Sequence, residues 1–173
     1  MRHDDIAALT QQARSFIEQE SYHLDSRDWD AWLAMYHPDC EFWVPTWIDG
    51  ETLGQSPQTA LSHMYYASRG GLEDRVARLR TKQSPASNPM PRTAHLLSHF
   101  ALHRPPEPDE LELRYSWCCH VFFPRDNSQT TFFGRAHALL CRSGDGGQPW
   151  LIRRKRVELL NDYVPTMLDF YCL

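Results

Sequence analysis

The sequence predicts an α+β fold, in which N-terminal helices are wrapped by a long, curled antiparallel sheet to give a cone. A single domain covers residues 1–173. Three observations lead there. Proline-free helical periodicity runs up to Pro38, four strand candidates of ten or more residues follow Thr93, and three turn clusters space those strands evenly. Long strands joined by short turns form an antiparallel meander, and strands of that length twist and curl. A curled sheet that follows the helices in sequence buries its inner face against them.

The first element is the stripe Ile6, Leu9, Ala13, Phe16, Ile17 and Leu24, at the spacing of one helical face. Asp4 or Asp5 supplies a candidate N-cap. After a break at Asp25-Ser26-Arg27, the residues Trp29, Trp32, Leu33 and Tyr36 predict a second short helix, ended by Pro38. Glu41-Phe42-Trp43-Val44 is rich in strand formers and closes at Pro45. Leu61 to Tyr66 reads as a strand or as the opening of a helix. Gly70-Gly71 leads into a helix over Leu72–Leu79, with Leu72, Val76 and Leu79 on one face. Gln83 to Arg92, with three prolines and two serines, reads as a loop. The strands from Thr93 onward are separated by turns at Arg104–Asp109, Pro124–Ser128 and Ser143–Gly147. Gly134, inside the third of them, predicts a bulge or bend.

A chain of 173 residues buries roughly 68–70% of its unfolded surface, enough for a core without staples. The 42% hydrophobic content, with only 8 Gly and 12 Pro, excludes a disordered or collagen-like chain. Eighteen basic against 22 acidic residues argue against nucleic acid or an anionic membrane as partner. No apolar run approaches the ~20 residues that span a bilayer. Met1-Arg2-His3-Asp4-Asp5 lacks an apolar signal core, and the five cysteines include the adjacent Cys118 and Cys119. Such thiols read as reduced, in a cytoplasmic protein.

Nine histidines raise the question of a metal. His95, His99 and His103 lie four apart in a strand candidate, where four residues span ~13 Å, so neighbours cannot share one ion. They read as the polar face of a strand. Cys118-Cys119-His120 contains one half of a C-x-H…C-x-x-H iron–sulfur signature, but Cys141 is followed by Arg142, Ser143 and Gly144, so the second half is missing. No 2-His-1-carboxylate spacing stands out. Gly144-Asp145-Gly146-Gly147 joins two strands and is a hairpin turn, not a phosphate loop. A G-x-S-x-G nucleophile elbow is absent. Arg153-Arg154-Lys155-Arg156 alternates between two faces and reads as a solvated or partner-facing strand. Trp29, Trp32, Tyr36, Phe42, Trp43 and Trp47 crowd into nineteen residues, as core, interface or both.

Leu24-Asp25-Ser26-Arg27-Asp28-Trp29-Asp30-Ala31-Trp32-Leu33-Ala34-Met35-Tyr36, continuing to Phe42-Trp43-Val44-Pro45, resembles the small (β) subunits of aromatic-ring-hydroxylating dioxygenases. Gly70-Gly71-Leu72-Glu73-Asp74-Arg75-Val76, with Arg78, Leu79 and Thr81, is similar to the helix that follows in that family. Pro91-Arg92-Thr93 and the ending Leu159-Leu160-Asn161-Asp162-Tyr163-Val164-Pro165-Thr166, with Leu168-Asp169-Phe170-Tyr171, resemble its benzoate/anthranilate-type branch. The chain departs from that pattern at Pro105-Pro106-Pro108 and in the length of the 83–92 loop. The resemblance implies a nuclear-transport-factor-2-like cone and a mainly structural role in an α3β3 oxygenase, beside a large (alpha) subunit and other copies of itself. It places the Rieske [2Fe–2S] cluster, the mononuclear Fe(II) and the substrate pocket in that large subunit. This chain is then expected to hold no cofactor, metal or catalytic residue of its own.

A second reading is a free-standing cone-fold dehydratase or isomerase, with Tyr36, Asp39, His95 and His120 as acid–base groups. Under the first reading the apolar stretch from Tyr163 onward, with Val164, Met167, Leu168, Phe170 and Tyr171, is a candidate subunit contact. The competing expectation for that stretch is that it folds back over the chain's own core.

Overall fold

The computed structural model describes residues 3–81, 87–103, 107, 109–144, 149–161, 163–164 and 168–173. Helices α1 (His3–Ser26), α2 (Trp29–Ala34) and α3 (Arg69–Arg80) pack against one six-stranded sheet made of β1 (Tyr36–Pro45), β2 (Ser62–Tyr66), β3 (Arg92–Leu102), β4 (Glu110–Phe123), β5 (Ser128–Arg142) and β6 (Trp150–Leu159). The strand order is β2-β1-β6-β5-β4-β3. The meander β3-β4-β5-β6 is antiparallel throughout, as the turn spacing predicts. β1 joins it in parallel beside β6, so the sheet is mixed rather than wholly antiparallel. That pairing is long-range and leaves no trace in local turn chemistry.

Helix α1 begins at His3, so Asp4 and Asp5 lie inside its first turn rather than ahead of it. Its stripe buries Ala13, Phe16, Ile17 and Leu24. It ends in a left-handed Arg27 (φ 57°), with Arg27 N–H donating to Leu24 O and Asp28 N–H to His23 O. That closure satisfies the last carbonyls of the helix and turns the chain into α2. The side chain of Asp28 then accepts from Ala31 N–H. The second helix stops at Ala34, short of the predicted Pro38. Pro38 sits inside β1, where the register against β6 breaks between Tyr36 and Glu41; a missing N–H costs no ladder bond there. Of the Leu61–Tyr66 stretch, Ser62–Tyr66 resolves as strand, and Leu72 and Val76 bury the inner face of α3.

Burial alternates along β4 and β5. Leu111, Leu113, Tyr115, Trp117, Cys119 and Val121 face the helices, as do Phe132, Ala136, Ala138 and Leu140. Gly134 makes no bulge, since the ladder runs unbroken through Trp117–Gly134 and Gly134–Leu159. Its hydrogen side chain serves close approach: a Cβ there would lie 1.8 Å from the carbonyl oxygen of Glu158. Register shifts fall elsewhere, at Leu139/Leu140 and at Ser98/Ala101. The Pro124–Ser128 turn is as expected, whereas the Arg104–Asp109 and Ser143–Gly147 clusters and the 83–92 loop lie partly outside the described residues.

Candidate functional site

The inside of the cone is organised around a buried carboxylate. Glu20 falls on the apolar stripe of α1 and is 0% exposed; Lys155, on the inward parity of β6, is 2% exposed. Lys155 Nζ lies 2.9 Å from each Glu20 carboxylate oxygen. Tyr36 Oη and Trp32 Nε1 donate to Glu20 Oε1 at 2.7 and 2.8 Å. Burial works to raise the Glu20 pKa, but Lys155 and these donors outweigh it, and the carboxyl is held below its ordinary value. Burial, with Glu20 beside it, pushes the Tyr36 phenol well above the usual range, so Tyr36 is a fixed hydrogen-bond donor. The basic run 153–156 is therefore not simply solvated, since one of its four cations anchors the core.

A second polar pair lies nearby. Asp25 Oδ1 is 2.7 Å from His95 Nδ1 and also accepts from Thr93 Oγ1 at 2.7 Å, while Asp25 Oδ2 accepts from His95 N–H at 2.9 Å. Burial opposes ionisation of Asp25, yet the bonds from His95 and Thr93 bring its pKa down. His95 Nε2 is buried with no hydrogen-bond partner among the described residues. The space before it, lined by Ser21, Tyr115, Trp117, Lys155 and Leu173, is too small to admit a water molecule.

The last described segment helps to close the cone. Phe170, Tyr171, Cys172 and Leu173 are all buried in the chain's own core. Phe170 stacks on Trp32 at 4.5 Å between ring centroids and meets Trp29 edge-on at 5.6 Å. Buried Asp169 accepts from Phe170 N–H at 3.0 Å and holds Arg75 of α3 through two nitrogens. Two residues expected at a subunit contact, Phe170 and Tyr171, thus spend their apolar surface inside their own chain, the competing expectation for this stretch. Val164 and Leu168 pack partly against the same core, Tyr163 is 80% exposed, and Met167 lies outside the described residues.

The four acid–base candidates do not converge. Tyr36 and His95 point inward, the phenol bonded to Glu20 and the imidazole Nδ1 to Asp25. Asp39 is exposed near Arg153 and His37, and His120 is exposed on the outer face, 2.9 Å from Thr131 Oγ1. The three buried thiols offer no nucleophile, because burial pushes Cys40 up to about 11 and raises Cys119 and Cys172 as well. An iron–sulfur cluster does not fit. Cys118 and His120 share the outer face of β4 at 3.8 Å, but Cys141 pairs with Glu110 at the far end of that strand.

The outer face carries two features that linear spacing hides. One is an exposed apolar row crossing the sheet: Leu96 opposite Cys118, Cys118 opposite Phe133, and Leu160 bonded to Phe133 O. The other involves the histidines of β3. They do not share one polar face, because the irregularity between Ser98 and Ala101, with His99 left-handed at φ 55°, reverses the alternation. His95 points inward, whereas His103 is exposed and brings its ring close to Glu112 and His137. No sequence spacing announces that trio; only the bulge assembles it.

Comparison with known proteins agrees with the geometry. The family model described as the ring hydroxylating beta subunit matches residues 19–166. The β subunit of toluate 1,2-dioxygenase from Pseudomonas putida is 38% identical over 158 residues, 91% of this chain and 94% of that protein. The β subunit of benzoate 1,2-dioxygenase from Acinetobacter baylyi is 36% identical, over 93% of this chain and 92% of its own length. Among solved structures, the β subunit of benzoate 1,2-dioxygenase from Burkholderia mallei superposes with a TM-score of 0.74 at 32% identity, covering 93% of this chain and 95% of that one.

Proposed function

The chain belongs to the ring hydroxylating beta-subunit family, and from that premise we propose that it is the small, non-catalytic subunit of a Rieske non-haem iron oxygenase acting on benzoate-like aromatic acids. The observation that carries this reading is the filled cone. A dehydratase or isomerase of this shape needs an interior that admits substrate, and here Glu20–Lys155, the stacked Phe170 and the buried Leu173 occupy it. The subunit's work is then to present surface. It seats a large subunit that carries the [2Fe–2S] cluster, the mononuclear Fe(II) and the substrate pocket, in an α3β3 assembly.

The exposed row Leu96, Phe133 and Leu160, with Tyr163 beside it in sequence, takes the place of the buried Phe170 and Tyr171 as the contact. Apolar side chains aligned across strands on an outer face are the kind of patch that a partner covers. Fold alone does not decide function, so the test is assembly and turnover. Co-expressed with a large subunit bearing both iron–sulfur half-motifs, the chain co-purifies in a complex that, supplied with an external electron donor, consumes oxygen with benzoate, toluate or anthranilate. Iron and labile sulfide follow the large subunit. Phe133→Glu combined with Leu96→Asp abolishes co-purification while the chain keeps its circular dichroism. Turnover of an aromatic substrate by the isolated chain, or normal assembly of the double variant, defeats the reading.

A further inference from the structure

We propose that His103, Glu112 and His137 form a binding site for one divalent transition-metal ion of the zinc class on the outer face of the sheet. The ligand atoms of the three side chains all lie within 4.8 Å of one another. Bonds of about 2.0–2.1 Å from imidazole nitrogen and 2.0–2.2 Å from carboxylate oxygen bring such a trio around one ion after small side-chain rotations. Two imidazoles with one carboxylate suit zinc and its neighbours; calcium and magnesium prefer all-oxygen shells.

The backbone fixes the trio from three strands. His103 continues β3 by one residue, its N–H donating to Glu112 O at 2.8 Å. Glu112 pairs with Leu139 and His137 with Arg114, so Glu112 reaches His137 along the diagonal between β4 and β5. The two imidazole rings meet edge to face, 5.1 Å between centroids at 82°, with their nitrogens clustered rather than stacked. Arg154 Nη2 approaches Glu112 Oε1 at 3.6 Å, so the carboxylate sits beside a cation whose side chain is itself half-exposed. Bound there, the ion ties the end of β3 beyond its irregularity to the two central strands and leaves coordination open on the solvent side. That makes it a structural clamp with no catalytic step assigned to it, and it revises the expectation of a metal-free chain.

The test uses the full chain, stripped with a chelator and titrated with Zn²⁺ against a chromophoric competitor. The parent binds one equivalent. His137→Ala and His103→Gln each weaken it at least about tenfold, the scale on which even supporting ligands act. His120→Ala, on the same outer face but bonded to Thr131 and outside both the trio and the irregularity, changes nothing. His103 is exposed, so His103→Gln keeps the fold and reads binding alone. Cobalt gives an independent signature, a visible ligand-field band in the parent that the His137 and His103 variants lose. No binding by the parent at about 100 μM Zn²⁺, or equal affinity in parent and His103→Gln, overturns the proposal.

Discussion

Replacing Lys155 by Met isolates the buried charge on which the cone interior is built. Glu20 stays fully enclosed and keeps Tyr36 Oη at 2.7 Å and Trp32 Nε1 at 2.8 Å, but loses both 2.9 Å contacts to the ammonium. Removing one partner of a buried ion pair costs about 3–5 kcal/mol, because the other charge is left uncompensated. In a chain of this length 1 kcal/mol moves the midpoint by about 2–4 °C, so Tm falls by about 6–20 °C. The pH dependence changes sign. In the parent the Glu20 pKa is depressed below its ordinary value of 4.5, so its contribution is complete above that pH and is lost as pH falls through the folded value. In Lys155→Met burial, the largest influence on this carboxyl, is opposed only by the Tyr36 and Trp32 donors, so the folded value rises; stability is then greatest where the carboxyl is protonated and declines as pH rises. Parent and variant therefore differ most near neutrality and converge in acid. Urea and thermal unfolding, followed by tryptophan fluorescence from about pH 4 to 8, measure both effects. The double variant Glu20→Gln with Lys155→Met keeps an acceptor for Tyr36 and Trp32 and recovers most of the loss, as neutral replacement of buried pairs does. A Lys155→Met chain within about 1 kcal/mol of the parent at neutral pH refutes the reasoning, as does a double variant no more stable than the single.

Gly134→Ala drives a methyl into the Glu158 carbonyl and destabilises by at least about 2–3 kcal/mol in denaturant unfolding, whereas Gly144→Ala, with open space around its Cβ position, stays within about 0.5 kcal/mol. Asp169→Ala removes both bonds to Arg75 and the acceptor for Phe170 N–H, costs about 1–3 kcal/mol, and opens the 168–173 segment to limited proteolysis; protection equal to the parent's would sink the anchoring role. In the assembled oxygenase, His120→Ala and Asp39→Asn keep turnover within about tenfold, where loss of an acid–base catalyst costs about 10²–10⁴-fold; a deeper loss with iron and assembly intact revives the dehydratase-like reading.

Local chemistry determined the elements. The spacing of Ala13, Phe16, Ile17 and Leu24 marks a helix whatever it packs on, and the even turn clusters after Thr93 mark an antiparallel meander, because such patterns depend on near neighbours alone. The resemblance likewise rests on residues read in order, and the family it points to is the one whose model matches residues 19–166. Tertiary structure decided what depends on partners distant in sequence. Lys155 looks like one cation in a basic run until the register of β6 turns it inward to meet Glu20, 135 residues away. Phe170 and Tyr171 look like an unpartnered apolar tail until Trp29, Trp32 and Arg75 receive that segment. His95 and His103 look equivalent until one left-handed residue between them reverses the alternation, sending one to Asp25 and the other to Glu112 and His137. Side-chain direction in a strand has a period of two, so a single irregularity resets every residue beyond it, and no pattern short of the fold records where that reset falls.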